Sequence, residues 1–314
     1  MQPIKDVPSQ ASSRLGASGG DNIALAVAVI LVTNLALSLG DAAVKQISAS
    51  FVLWQIFVLR SVITVPVLIA ILRVRFRAVP AVPRHIGWTA LRSLLLTTMW
   101  VTYYAALAHL ALGIAAATYY TLPIFITLFA ALFLGDRIRP LGWVAILLGF
   151  VGVLLILKPQ AEGFNAYALL PLASAVCYAL AMILTRSKCR DEHPLVLSLS
   201  LNVSFVVVGL LATALIALAP VSALEPSFLV GTWSPMGATE WLAMALLGAA
   251  IVIGSVGSAI AYQVGPPGTV AAFDFAYVGF AALWGILFFG EVLDGITLGG
   301  MALIVVAGIL AVRR

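Results

Sequence analysis

Charge is what this sequence has least of. Asp, Glu, Lys and Arg make up only 9% of its 314 residues, against 63% hydrophobic residues and a mean hydropathy of +1.13. A soluble domain of this length cannot hide so much apolar surface, so the composition excludes a water-soluble enzyme or nucleic-acid-binding protein and implies a polytopic membrane protein. Histidine and cysteine are nearly as scarce, at three and two. Cys177 falls inside an apolar run and Cys189 in a basic loop, so neither a disulfide framework nor a metal-ligand cluster is expected, and no cofactor is implied. No GxxxxGK[ST] loop is present, which argues against ATP-driven pumping by this chain alone. An intramembrane serine protease would want GxSxG with a membrane histidine, but Gly254 opens GSVGS and the histidines are His85, His109 and His193. An intramembrane aspartyl protease needs two facing acids. Asp41 and Asp274 are available, yet they stand in LGD and FDF rather than in GxGD and YD, and an enzyme is not expected.

What is present is organised around Ala111 to Pro140, ALGIAAATYYTLPIFITLFAALFLGDRIRP, where no charge occurs before Asp136. A helix rises ~1.5 Å per residue, so ~20 such residues cross a ~30 Å hydrocarbon core. Pro123 lies inside the run and predicts a kink, with Thr118 and Thr121 close enough in sequence to receive freed backbone groups. The stretch returns as Gly268 to Gly295, at the offset that carries Gly113 to Gly268, Phe125 to Phe280, Phe133 to Phe288, Gly135 to Gly290 and Asp136 to Glu291. The chain reads as an internal duplication.

Apolar runs predict ten transmembrane helices: 23–44, 51–72, 86–110, 111–134, 141–157, 165–185, 194–219, 241–263, 269–289 and 296–312. The polar, Gly- and Ser-rich stretch 1–21 lacks the pattern of a signal peptide and is read as a disordered cytoplasmic tail. Ten spans put both termini on one side. Thirteen of the 17 basic residues then share that face, whereas only Lys45 and Lys158 reach the other, so both termini are expected in the cytoplasm of a bacterial-type inner membrane. A five-helix unit is odd, so its second copy enters the membrane from the opposite side. The expected architecture is two inverted repeats, 22–158 and 165–312, with a shared cavity near the midplane, which is the alternating-access design of secondary transporters.

Five ionisable residues interrupt the spans: Asp41, Lys45, Arg60, Arg92 and Asp274. Each costs about 2.5–3.5 kcal/mol at mid-membrane and so wants a partner or a wet surface. Asp41 and Lys45, four residues apart, are read as a local ion pair with a snorkelling lysine, and Arg92 as snorkelling to the cytoplasmic edge. Arg60, about nine residues or ~13 Å from its helix end, is a candidate for binding or gating. Asp274 corresponds to Tyr119 through the repeat, and inverted symmetry would aim both at one axis. Trp100, Tyr103, Tyr178 and Tyr277 complete a candidate substrate cavity suited to a planar or amphipathic metabolite. Tyr262 and Trp241 are assigned instead to interfacial belts. Gly254, Ser255, Gly257 and Ser258, and Gly295 to Gly299, are assigned to helix-packing faces.

The segments DAAVK ending at Lys45, WQIFVLR ending at Arg60, Arg92, TYYTLPIFITLFAALFLGD and FAALWGILFFGE resemble the drug/metabolite transporter superfamily, in its EamA-type ten-helix carriers. The likeness runs over residues 22 to 312. It departs at Asp136, where that family usually has glutamate. Members move amino acids, riboflavin, S-adenosylmethionine, metallophores and similar metabolites. The resemblance therefore implies a carrier for a small amphipathic nitrogen-containing metabolite, amino acids first with export favoured, or else a vitamin or cofactor. Proton coupling is compatible with the buried acids, the lipid bilayer is the one obligatory partner, no nucleic acid is expected, and the chain should act as a monomer or weak homo-oligomer.

Overall fold

With so few charges and no water to receive a bare N–H, the peptide groups satisfy one another within helices. The structure, a computed structural model, describes residues 22–134, 140–157, 165–218, 227–274 and 276–312. Its helices are α1 (Ile23–Ile47), α2 (Leu53–Arg75), α3 (Ile86–Leu107), α4 (Leu112–Tyr119), α5 (Leu122–Leu134) and α6 (Pro140–Leu157). A 3-10 turn (Ala166–Leu169) leads into α7 (Leu170–Ser187), followed by α8 (Pro194–Leu218), α9 (Ala238–Val264), α10 (Pro267–Asp274), α11 (Ala276–Phe289) and α12 (Gly295–Val312). No strand occurs among the described residues. Among the described residues, six helical stretches are long and apolar enough to cross a membrane, one of them the α4–α5 pair, with shorter apolar helices beside them. The 1–21 tail and the loop charges Asp136, Arg137, Arg139, Lys158, Glu225, Arg313 and Arg314 lie outside the described residues.

The helices present apolar side chains outward and polar ones inward. Val203, Val207, Leu210, Leu211 and Leu215 of α8 are exposed, whereas Asn34, Ser38 and Asp41 of α1 are buried. That distribution suits a lipid surround, where an outward leucine costs nothing and an outward aspartate costs several kcal/mol. In α1 the polar residues recur every three or four positions, so one polar stripe faces the centre.

Contacts between helices come in matched sets. Exchanging the first five expected spans with the last five turns α1 on α9 into α7 on α3, α1 on α11 into α7 on α5, and α3 on α8 into α9 on α2, and each of these contacts is present. α2 packs on α8 and α6 on α12, each pair its own mirror. Glycines allow the close crossings. A Cβ on Gly300 would come within 2.8 Å of the Gly152 carbonyl oxygen, and one on Gly257 would collide with Thr33 of α1. Gly254 likewise receives Leu37 of α1. The packing face expected at Gly295 to Gly299 is displaced: a Cβ on Gly295 or Gly299 would meet nothing within 4 Å, and the contact belongs to Gly300.

The expected fourth span is broken rather than continuous. α4 stops at Tyr119 and α5 starts at Leu122, with Tyr120 and Thr121 in a turn between them. α10 and α11 lie on either side of Phe275, which is outside the described residues. Pro123 is the second residue of α5 and not a mid-helix kink, so its missing N–H falls in a first turn where no intrahelical acceptor is owed. The interruption is closed locally, with Thr121 Oγ1 donating to the Thr118 carbonyl at 3.0 Å and the Ile124 N–H to the Thr121 carbonyl at 2.9 Å. The turn expected near His109 is present between α3 and α4.

Candidate functional site

The polar stripe of α1 packs against α10 and α11. Asn34 Nδ2 donates to the carbonyls of Phe273 and Asp274, at 3.4 and 3.2 Å. The Asp274 carboxylate, 2% exposed, accepts from the Tyr262 hydroxyl at 2.7 Å. Tyr262 is therefore a buried partner of the acid and not the interfacial belt residue that its place near a helix end suggested. Trp241, by contrast, is exposed.

One helical stretch away on α1, Asp41 is 1% exposed and holds two phenols. Tyr104 donates to Oδ1 at 3.0 Å, and Tyr277 donates to Oδ2. Tyr277 also shares a 2.9 Å hydrogen bond with the Tyr103 hydroxyl. The expected local ion pair between Asp41 and Lys45 does not form. Lys45 reaches the other way, to Glu291 Oε1 at 2.9 Å and the Leu110 carbonyl at 2.7 Å, because an acid on another helix and a free carbonyl at a helix end outbid a neighbour already saturated by tyrosines.

Aromatic rings join the two acids. Tyr103 lies 5.1 Å from Tyr119, Tyr119 lies 5.9 Å from Tyr178, and Tyr178 lies 6.2 Å from Tyr262, centroid to centroid. Tyr120 stacks on Tyr277 at 5.0 Å with a 20° interplanar angle. Between these groups is a cavity lined by Asp41, Asp274 and Asn34 with Trp100, Tyr103, Tyr119, Tyr120, Tyr178 and Tyr277. Its interior is narrow, with room for water-sized contents in this conformation. Six of the seven candidate binding residues from the sequence thus share one cavity: Asp274, Tyr119, Tyr103, Trp100, Tyr178 and Tyr277.

Arg60 is the seventh and lies behind that wall. Its guanidinium is 1% exposed, sandwiched between Phe57 at 4.8 Å and Phe205 at 4.6 Å, with Tyr104 at 6.0 Å. It shares a smaller space of about 180 Å³ with Asp41 and Tyr104. The cation is thus one aromatic layer away from the acid, a distance at which ring faces and a carboxylate both stabilise it.

Sequence reasoning missed Asp41, Asn34 and Tyr262. The signal for the first two was the three- and four-residue spacing of Asn34, Ser38, Asp41 and Lys45 along α1, which puts all four on one face. The expected excursion of Arg92 to the cytoplasmic edge is also overturned. Arg92 is fully buried, with Nε donating to Thr185 Oγ1 at 2.6 Å, because α7 packs against this part of α3 and closes the path outward.

An aromatic cage with a carboxylate at either end attracts organic cations and planar rings, and acids held by phenols can also take up and release protons. No group of three or more His, Cys, Asp or Glu able to hold a metal occurs among the described residues.

Comparison with known proteins follows the same lines. Residues 24–158 match the model of the EamA-like transporter family. The riboflavin transporter of Rhizobium johnstonii is 32% identical over 239 residues, 74% of this chain and 73% of that protein. The pseudopaline exporter CntI of Pseudomonas aeruginosa is 30% identical over 283 residues, 90% and 93% of the two chains. An S-adenosylmethionine uptake transporter of Rickettsia bellii is 25% identical, over 69% of each. A solved crystal structure with 21% identity superimposes with a TM-score of 0.64, covering 92% of this chain and 96% of that one, a likeness of fold.

Proposed function

The chain belongs to the EamA-like transporter family of the drug/metabolite transporter superfamily, and from that premise we propose that it is a secondary carrier for a small amphipathic nitrogen-containing metabolite. Amino acids and their zwitterionic derivatives come first among substrates, in the direction of export. One observation carries the proposal: two buried carboxylates, Asp41 and Asp274, face a single tyrosine-lined cavity. Beside it the α4–α5 pair forms one discontinuous helix, a feature that suits carriers built from inverted repeats. The mirrored helix contacts support the same reading, with ten spans in two inverted repeats, 22–158 and 165–312. The basic residues support an inner membrane with both termini in the cytoplasm.

A vitamin or cofactor is the second reading, favoured by the riboflavin and S-adenosylmethionine transporters among the relatives and by a cage whose rings suit a flat heterocycle. Both readings give Asp274 the same part, as the charge that meets a substrate cation or carries a proton.

The test is counterflow in proteoliposomes against a panel of amino acids, riboflavin and S-adenosylmethionine, with and without a pH gradient. If Asp274 meets the substrate's cation, Asp274→Asn weakens cationic and zwitterionic substrates and spares neutral ones. If it carries the proton, the variant still exchanges substrate but no longer responds to the gradient. A well-expressed Asp274→Asn protein with normal exchange, selectivity and pH response removes the acid from the mechanism.

A further inference from the structure

A second cavity adjoins the first and has a different electrical character. It is as narrow as the first, with room for water-sized contents in this conformation, and shares Trp100 and Tyr178 with the cavity that holds the two acids. Its polar lining is Arg92, Ser255 and Ser258, with no carboxylate among its lining residues.

Arg92 is the unusual member. It is fully buried, its Nε is engaged by Thr185 Oγ1 at 2.6 Å, and both terminal nitrogens, Nη1 and Nη2, lack a hydrogen-bond partner among the described residues. The titratable groups that interact with it are Cys189 and Tyr178, a thiol and a phenol, and neither supplies a standing negative charge. Glu192, the buried acid of the loop after α7, is already taken by the His85 N–H at 2.7 Å, while Asp191 beside it is exposed. A guanidinium removed from water and left without an anion is among the most costly arrangements a fold can keep. A structural arginine would have its planar fork filled by a carboxylate or by backbone carbonyls. With Nε held by Thr185, the two remaining nitrogens form the edge that receives a two-oxygen anion side by side.

We infer that Arg92 anchors an oxyanion subsite, which takes a carboxylate or phosphate group of the transported molecule while its cationic or ring portion occupies the tyrosine cage. Ser255 lies at the rim, its hydroxyl 2.6 Å from that of Ser198 and able to turn to a bound oxygen. Trp100 and Tyr178 form the shared wall, so one elongated molecule spans both spaces. The inference rests on the carrier reading above and narrows it to substrates that carry an anionic group as well as nitrogen.

The test uses the full chain in detergent micelles, with thermal unfolding followed against benzoate, its neutral isostere benzamide, inorganic phosphate and chloride. Benzoate or phosphate should raise Tm where benzamide does not, and Arg92→Met should lower affinity for the effective anion on the order of tenfold to a hundredfold. Arg92→Lys should keep a weakened response. Since Arg92→Met also removes an unpaired buried charge, its ligand-free Tm should equal or exceed that of the wild type. A lower ligand-free Tm for Arg92→Met would make the guanidinium structural and overturn the proposal, as would an undiminished anion response in that variant. A chloride response as large as that of benzoate overturns it too, by making this a resident halide site. The two levels separate cleanly: counterflow that is normal in Arg92→Met sinks the subsite and leaves the carrier, whereas an anion response without counterflow of any metabolite sinks the carrier reading.

Discussion

Asp41 accepts from Tyr104 and Tyr277 on its two oxygens, so neutralising it does more than remove a charge. Asparagine keeps one acceptor oxygen, so one phenol O–H loses its acceptor, at a cost of about 1–3 kcal/mol. Asp41→Asn should therefore lower stability, and adding Tyr277→Phe, which deletes one of the two donors, should recover part of the loss. A thermal double-mutant cycle should give a coupling of about 0.5–3 kcal/mol for Asp41 with Tyr277, and near-additivity for Asp41 with Lys45. Coupling to Lys45 instead would restore the local ion pair and remove Asp41 from the cavity. At this scale the sequence was legible wherever a polar group had no cheap local explanation. Asp274, Tyr103, Tyr119, Tyr178 and Tyr277 stood in apolar runs with nothing nearby in sequence to satisfy them, which pointed inward. Asp41 had a lysine four residues on and Arg92 had a nearby membrane edge, so the local account looked sufficient. Tertiary partners decided both: three tyrosines claim the space around Asp41, and α7 seals Arg92 in.

The broken α4–α5 helix shows the same limit one level up. Existence and order of the apolar segments follow from hydropathy, because a hydrocarbon solvent leaves the backbone few alternatives. The break at Tyr120 and Thr121 does not follow from Pro123, which is already the second residue of α5. Sequence drew attention to the conspicuous residue, but the interruption lies before it. The turn is closed locally, where Thr121 takes the carbonyl of Thr118. Pro123→Ala should consequently keep the break and leave counterflow rate and affinity unchanged at equal expression. Its cost should be confined to stability, about 0.4–1 kcal/mol from the freer unfolded chain. A fall in counterflow by this variant would return the bend to Pro123.

Over the whole molecule, the two ends of the cavity are fastened by matching contacts. At one end Lys45, near the end of α1, donates to the Leu110 carbonyl and to Glu291, which also accepts the N–H groups of Leu112 and Gly113 at 2.7 and 3.2 Å at the start of α4. Glu291 can turn back to reach them because Gly290 adopts φ +60°, and because Gly285 leaves room for the carboxylate. At the other end Arg186, near the end of α7, donates to the carbonyls of Gln263 and Gly265 at 3.0 and 3.4 Å, just before α10. Leu110 and Gly265 correspond through the repeat offset, as do Asp136 and Glu291, so one cation closes each end on the same structural carbonyl. With both fastened, the cavity is narrow, and on the secondary-carrier reading proposed above, transport by alternating access would require that one be released while the other holds. Glu291→Gln should then open the Lys45 end and Arg186→Gln the opposite end. The reporter is Leu37→Cys, on the cavity wall, in a Cys177→Ser, Cys189→Ser background, probed with a membrane-impermeant maleimide in intact cells. Exposed controls Ser227→Cys and Arg190→Cys fix the sides, a task that buried Cys189 cannot perform. Ser227→Cys should label from outside and Arg190→Cys should not. Glu291→Gln should raise external labelling of Leu37→Cys, whereas Arg186→Gln should lower it or leave it at the parent level, since it favours the inward-facing state. If Glu291→Gln leaves external labelling at the parent level while Arg186→Gln raises it, the fastened ends are assigned to the wrong sides; if neither substitution changes it, they are not gates.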